Sequence, residues 1–303
     1  MITATVSEML LALASNRNTL RTLHVDCPLT EEVHDVIHKL PNLCELSVFL
    51  QRGTPLSPLI LPNLTDLVIR QDDDGDWLQM FHGTTLGKLE AVTFHSGSER
   101  LGGFLEAFEM AALAASAQKT LLHFCLYTPF SWKPNYPSLL PFTQLTNLNV
   151  EFTCGDICSS NVDDDIVTDL AVTMRKLETL RLGGPPCYDI PTGVTAKGLA
   201  VLAYHCSDLS TLCIHFQVAS LSTPPAIPGM AFDGGSTALR RDCALKYLEV
   251  GKIPVLEESA SMVALTLALI FPCIDHICHA HRSWQKVLNT IRLSRQIVNY
   301  SSK

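Results

Sequence analysis

Five potential metal ligands, Cys273, His276, Cys278, His279 and His281, fall within one short stretch of this chain. A structural zinc site needs four such thiolates and imidazoles converging on one point, usually as two closely spaced pairs from separate segments. No second Cys/His pair complements the stretch, and alternation along an extended chain sends neighbours to opposite faces. The pattern therefore predicts a core cysteine among surface histidines, with no metal. Cys154 and Cys158 form an equally isolated pair. Asp72, Asp73, Asp74 and Asp76 offer carboxylates at calcium-loop spacing, but the twelfth place counted from Asp72 holds Gly83 instead of the closing glutamate. Asp163, Asp164 and Asp165 read as charge at a helix N-terminus, where the macrodipole favours anions. Asn63-Leu64-Thr65 and Asn299-Tyr300-Ser301 match the glycosylation acceptor pattern. No P-loop, G-x-S-x-G or H-E-x-x-H pattern occurs, and no local spacing pairs a nucleophile with a base. The expectation is a chain that is not an enzyme and carries no cofactor. A hydrolase or metal protein with its site in the insertions is the alternative of a different class.

The elements that position these residues recur. The phrase apolar-x-x-apolar-x-apolar opens at Leu20, Leu43, Leu64, Leu89, Leu121, Leu145, Leu177, Leu209 and Leu245, with a degenerate copy at Ile274. Successive copies begin between 21 residues (Leu43 to Leu64) and 36 residues (Leu209 to Leu245) apart, by subtraction of sequence numbers. Such a period marks a solenoid, because each unit buries its apolar face only against its neighbours. Each copy reads as a strand followed by a helical or irregular return. Turn signals stand ahead of several strands, at residues 40–42, 61–63, 140–142 and 206–208. Helices are predicted over 6–14 (with Thr5 and Glu8 as a capping box), 31–40, 105–118, 165–176, 196–205 and 259–271. A last helix over 283–300, with Trp284, Val287, Leu288, Ile291 and Ile297 on one side, is predicted to cap the open end. The prediction is a single α/β domain spanning 1–303, with about ten irregular repeats: a horseshoe with a parallel concave sheet and helices or loops on the convex side.

Strand alternation assigns the faces. The second and third apolar residues of each phrase point inward. Between and after them, two rows point outward. One is His24, Ser47, Val68, Thr93, Cys125, Asn149, Arg181, Cys213 and Glu249. The other is Asp26, Phe49, Arg70, His95, Tyr127, Glu151, Gly183, His215 and Gly251. Aromatic residues and arginine anchor protein interfaces. Phe49, Arg70, His95, Tyr127, Glu151, Arg181 and His215 are accordingly the candidate protein-binding residues. Three insertions interrupt the repeats, at 71–76, 129–141 and 220–238. The second offers Phe130, Trp132 and Tyr136 as a rival apolar patch.

Of the 303 residues, 47% are hydrophobic and 17% charged, which suits a packed chain and argues against disorder. A net charge of −8 argues against general nucleic-acid binding. Eleven cysteines at irregular spacing, many in apolar runs, read as reduced core thiols. No secretory pattern opens the chain, and the longest apolar stretch, 262–274, is broken by Pro272 and too short to span a bilayer. The reading is cytoplasmic or nuclear, not secreted, without membrane contact.

Residues 194–206, Val-Thr-Ala-Lys-Gly-Leu-Ala-Val-Leu-Ala-Tyr-His-Cys, together with the phrases on either side, resemble the helix–strand unit of the leucine-rich-repeat superfamily. They are most similar to its cysteine-containing subtype in F-box proteins. Residues 271–277 resemble the closing repeat of fungal F-box/leucine-rich-repeat proteins. The resemblance implies substrate recognition in ubiquitin ligation, with a Skp-type adaptor bound through an F-box ahead of the repeats. Here the first repeat begins at Leu20, so the chain is expected to lack the F-box itself. A Skp-type partner is implied only if an F-box lies upstream. A free-standing repeat adaptor with another protein partner is the alternative.

Overall fold

The structure, a computed structural model, describes residues 12–13, 15–50, 60–71, 86–97, 113, 115, 117–128, 135–152, 162–183, 193–222, 243–250, 254–279 and 281–301, side chains of 152 and 297–301 excepted. The chain divides into two compact units, residues 1–130 with 134–145 and residues 131–133 with 146–303.

In the first unit, β1 (Thr22–Pro28), β2 (Glu45–Leu50), β3 (Asp66–Gln71), β4 (Ala91–Ser96) and β5 (His123–Thr128) lie side by side in chain order, every pair parallel. Helix α1 (Glu31–Ile37) returns the chain from β1 to β2. It is shorter than the predicted 31–40, because Lys39 and Leu40 donate to the carbonyls of Val36 and Ile37 and tighten its end into a turn. In the second unit, β6 (Asn147–Phe152), β7 (Thr179–Leu182), β8 (Thr211–Ile214), β9 (Tyr247–Glu249) and β10 (His276–Cys278) follow the same rule. Helices α2 (Asp164–Thr173), α3 (Ala196–His205), α4 (Ala260–Ile270) and α5 (Ser283–Ser301) lie among and after them. This is the repeat-built, all-parallel α/β arrangement of the leucine-rich-repeat kind that the period predicts.

The inward positions form the core. Leu46, Val48, Leu67, Ile69, Val92, Phe94, Phe124 and Leu126 are buried in the first unit, and Leu148, Val150, Leu180, Leu182, Leu212, Ile214, Leu248 and Val250 in the second. Full burial of one such side chain stabilises by about 1.5–3 kcal/mol. The leading leucine of each later phrase is buried too, and in several phrases its N–H donates to a buried residue three positions earlier. Leu64 to Leu61, Leu89 to Leu86, Leu145 to Phe142, Leu177 to Met174 and Leu209 to Cys206 are examples.

One carbonyl per repeat fixes where the next strand starts. Arg21 O accepts from the N–H groups of Cys44 and Glu45, at 2.7 and 2.9 Å. Cys44 O then accepts from Thr65 and Asp66, Thr65 O from Glu90 and Ala91, and Glu90 O from Leu122 and His123. In the second unit the carbonyls of Thr146, Glu178, Ser210 and Lys246 do the same for β7, β8, β9 and β10.

The aspartate cluster is divided between two helices. Asp163 caps α2, its Oδ1 accepting from Ile166 N at 2.9 Å. Asp164 reaches the start of α3 instead. Its Oδ1 accepts from Thr195 N at 2.7 Å and Gly198 N at 3.1 Å, and its Oδ2 accepts from Thr195 Oγ1 at 2.6 Å. A Cβ on Gly198 would collide with that Oδ1, so any larger residue there must displace the carboxylate. Beyond β8, α5 packs on α4 and touches β10, burying Trp284, Val287, Leu288 and Ile291. Trp284 meets Phe216 edge to face at 6.2 Å.

Candidate protein-binding face

In the first unit, Phe49, Arg70, His95 and Tyr127 stand opposite one another on β2, β3, β4 and β5. Their sequence neighbours Val48, Ile69, Phe94 and Leu126 are buried, so alternation turns the row outward. With strands about 4.8 Å apart, four residues make a line about 14 Å long. His95 and Arg70 are exposed, Phe49 and Tyr127 half-buried. The His95 and Tyr127 rings stack, centroids 4.8 Å apart and planes 10° from parallel. Partial burial, and then the nearby Arg70 charge, push the His95 pKa below its usual value, favouring the uncharged ring.

Arg70 Nη1 donates to Asp26 Oδ1 at 2.8 Å, between side chains that are 47% and 77% exposed. Phrase counting puts Asp26 in the same row as Phe49, but the structure does not. An irregularity between Val25 and Pro28 sets Pro28 opposite Phe49, and Asp26 reaches Arg70 from the side. The row behind, His24, Ser47, Val68, Thr93 and Cys125, is in register as predicted. Ser47 in it is buried, and its Oγ has no hydrogen-bond partner. A third row sets Glu45 directly opposite Asp66, both exposed.

The second unit has its own outward row, in which Asn149, Arg181, Cys213 and Glu249 are in register. Arg181 Nη1 bonds Glu249 Oε2 at 3.2 Å and lies 3.9 Å from Glu151 Oε1. To reach Glu249 it passes the position of Cys213, where a small side chain leaves space. The Cys213 thiol is buried, and burial together with the Glu249 carboxylate pushes its pKa up to about 12. His215 rests against Gly183, whose φ of +116° only glycine adopts without strain. Glu151, Arg181 and His215 are all half-buried. Glu249, absent from the predicted binding set, is the principal partner of Arg181. Its place in the same outward row was the available signal.

The remaining candidates are structural or out of reach. His276 and Cys278 are exposed on either side of buried Ile277, and His281 Nδ1 bonds Ser283 Oγ at 2.8 Å. Among the described residues no three His, Cys, Asp or Glu side chains come together as a metal site. Cys154, Cys158, Asp72–Asp76, Phe130, Trp132, Gly251 and the helices over 6–14 and 105–118, both apart from a few residues, lie outside the described residues. Tyr136 corrects the expectation of an exposed aromatic patch at 129–141. It sits in a short 3-10 turn, only 1% exposed, with its Oη unpaired, because the turn folds it into the core beside Leu139. Asn63 is occupied within the fold, donating to Pro41 O and accepting from Lys88 Nζ. Among the described residues no helix is long and apolar enough to cross a membrane.

Strand order, inward ladder and outward rows define an α/β repeat protein of the leucine-rich-repeat kind. No family model and no curated protein matches the chain.

Proposed function

We propose that this chain is a protein-binding module whose partner docks on the outward face of its parallel strands. One observation carries the reading: Phe49, Arg70, His95 and Tyr127 stand in register on adjacent strands, on the face turned away from the core. Large aromatics and an arginine on that face are the residue types that anchor interfaces. Glu151 and His215 hold the corresponding phrase positions of the second unit, and Arg181 stands in its other outward row, in register with Asn149 and Cys213. The resemblance to F-box/leucine-rich-repeat proteins adds the narrower proposal of substrate recognition in ubiquitin ligation, in the cytoplasm or nucleus. A repeat adaptor unrelated to ubiquitin is the other form of the same reading.

Affinity purification with mass spectrometry tests it, comparing the wild type with the Arg70→Ala/Tyr127→Ala double variant and with Trp132→Ala. A partner lost in the double variant supports the outward face. Co-purification of a Skp-type adaptor and a cullin supports the ligase form, and a reproducible partner without them supports the adaptor form. A partner lost only with Trp132→Ala, both proteins being folded, moves the site to the 129–141 insertion and overturns the proposal.

A further inference from the structure

Resting on that reading, we infer that the Arg70 row takes a partner segment carrying a carboxylate side chain next to an aromatic or large apolar one. The inference starts from what surrounds Arg70. Phe49 stands one strand away on one side, and the stacked His95–Tyr127 pair begins one strand away on the other. Val68 and Thr93, outward in the row behind, are uncharged. The guanidinium is therefore a single cation between aromatic flanks.

A guanidinium has five N–H donors in a planar fork that fits a carboxylate two bonds at a time. Asp26 engages Nη1, and among the described residues the Arg70 side chain forms no other bond. A pair this exposed is held weakly. An incoming carboxylate can share or replace Asp26, whereas a lysine or arginine would meet like charge. A purely apolar segment would cover Arg70 and take its water without replacing those hydrogen bonds. The flat His95–Tyr127 stack offers a ring surface for an adjacent aromatic side chain.

The same face sets the direction of approach. Glu45 and Asp66 sit side by side at the amino ends of β2 and β3, where like charges directly opposite are unfavourable. Asp66 lies four residues before Arg70, about 13 Å along the strand. An acidic segment is repelled from that end, so its carboxylate settles at the carboxyl ends of the strands.

The test uses phage-displayed random peptides selected on the full chain. Those recovered are synthesised with a fluorophore and titrated by anisotropy against wild type, Arg70→Glu, Asp26→Asn and Tyr127→Ala. The expected peptides place Asp or Glu beside Phe, Tyr, Trp or Leu. Arg70→Glu should weaken binding by about tenfold or more, and added salt should weaken it in wild type. Asp26→Asn should tighten binding by about two- to fivefold, since it removes a competitor for the same guanidinium. A gain of affinity cannot come from misfolding. Peptides rich in Lys or Arg, or acidic peptides indifferent to Arg70→Glu and Asp26→Asn yet lost in Tyr127→Ala, would overturn this inference and leave the outward-face proposal standing. Peptides indifferent to all three variants would overturn both.

Discussion

The tightest local test of how these repeats hold one another is the pair Asp164 and Gly198. Asp164 lies in α2 but accepts three hydrogen bonds from the start of α3. At about 1 kcal/mol net for each, with about 0.5 kcal/mol from its charge at a helix N-terminus, Asp164→Ala should destabilise by roughly 3–4 kcal/mol. Gly198→Ala inserts a methyl into the space of Asp164 Oδ1. The carboxylate must then leave, forfeiting up to about 3 kcal/mol of hydrogen bonding, against which alanine gains about 1 kcal/mol of helix propensity over glycine. The net expectation is a loss of about 2 kcal/mol. In an Asp164→Ala background the collision is gone, and Val194 Cγ1, 3.4 Å from the added carbon, is in ordinary contact. The same Gly198→Ala change should then stabilise by about 1 kcal/mol, a reversal of sign and a coupling of about 3 kcal/mol. Urea unfolding of the four proteins, with hydrogen exchange on the α3 amides to assign the transition, measures this cycle. Equal effects of Gly198→Ala in both backgrounds would refute the reasoning, as would an Asp164→Ala protein within about 0.5 kcal/mol of wild type.

Three further outcomes are expected. Leu180→Ala, at a fully buried ladder position, should cost about 2–5 kcal/mol by chemical denaturation, and a loss under about 1 kcal/mol would remove Leu180 from the core. Burial pushes the thiols of Cys206, Cys213 and Cys243 up to about 12, 12 and 11. The native state thus keeps these protons after unfolded thiols lose theirs near pH 8.5, so the stability they confer is full below that pH and falls as pH rises toward 11, by up to about 4 kcal/mol per unit for three groups. Urea midpoints that stay level from pH 8 to 10 would contradict this, as would alkylation of these cysteines as fast as exposed Cys27 and Cys278. Tyr136→Phe should be neutral or stabilise by about 1 kcal/mol, because it deletes a buried hydroxyl that bonds nothing, and a clear loss of stability in a melt would show that the hydroxyl has a partner.

The strands were legible in the sequence because each inward residue is specified twice, by its place in the phrase and by the register of both neighbours. Leu46, Leu67 and Val92 share one depth of one sheet, and a one-residue slip would turn every side chain over. The outward rows followed from the same parity, apart from Asp26, since an irregularity inside β1 leaves no mark in a leucine pattern. Side-chain pairing between repeats was harder to see. Asp164 looks like ordinary charge at its own helix start, and its actual partners lie 31 and 34 residues on, where only the repeat length hints at proximity. Tyr136 in a proline-rich stretch reads as exposed until the 3-10 turn is seen to fold it inward. The binding row was identifiable as positions, but the Arg70–Asp26 and Arg181–Glu249 pairings depend on side-chain reach across strands, which spacing does not encode.

The doubly accepting carbonyls have a consequence for how such a chain can change over generations. Because β2 to β5 and β7 to β10 each take their phase from one oxygen at the entry of the strand before, the length of the intervening return does not enter. Phrase starts 21 or 36 residues apart end in the same alignment, and an inserted or deleted stretch is absorbed where it occurs. Errors of spacing do not accumulate along the array, as they would if every repeat had to keep an identical period. The returns are free to lengthen, shorten and diversify, while the order of side chains across the outward face is inherited intact.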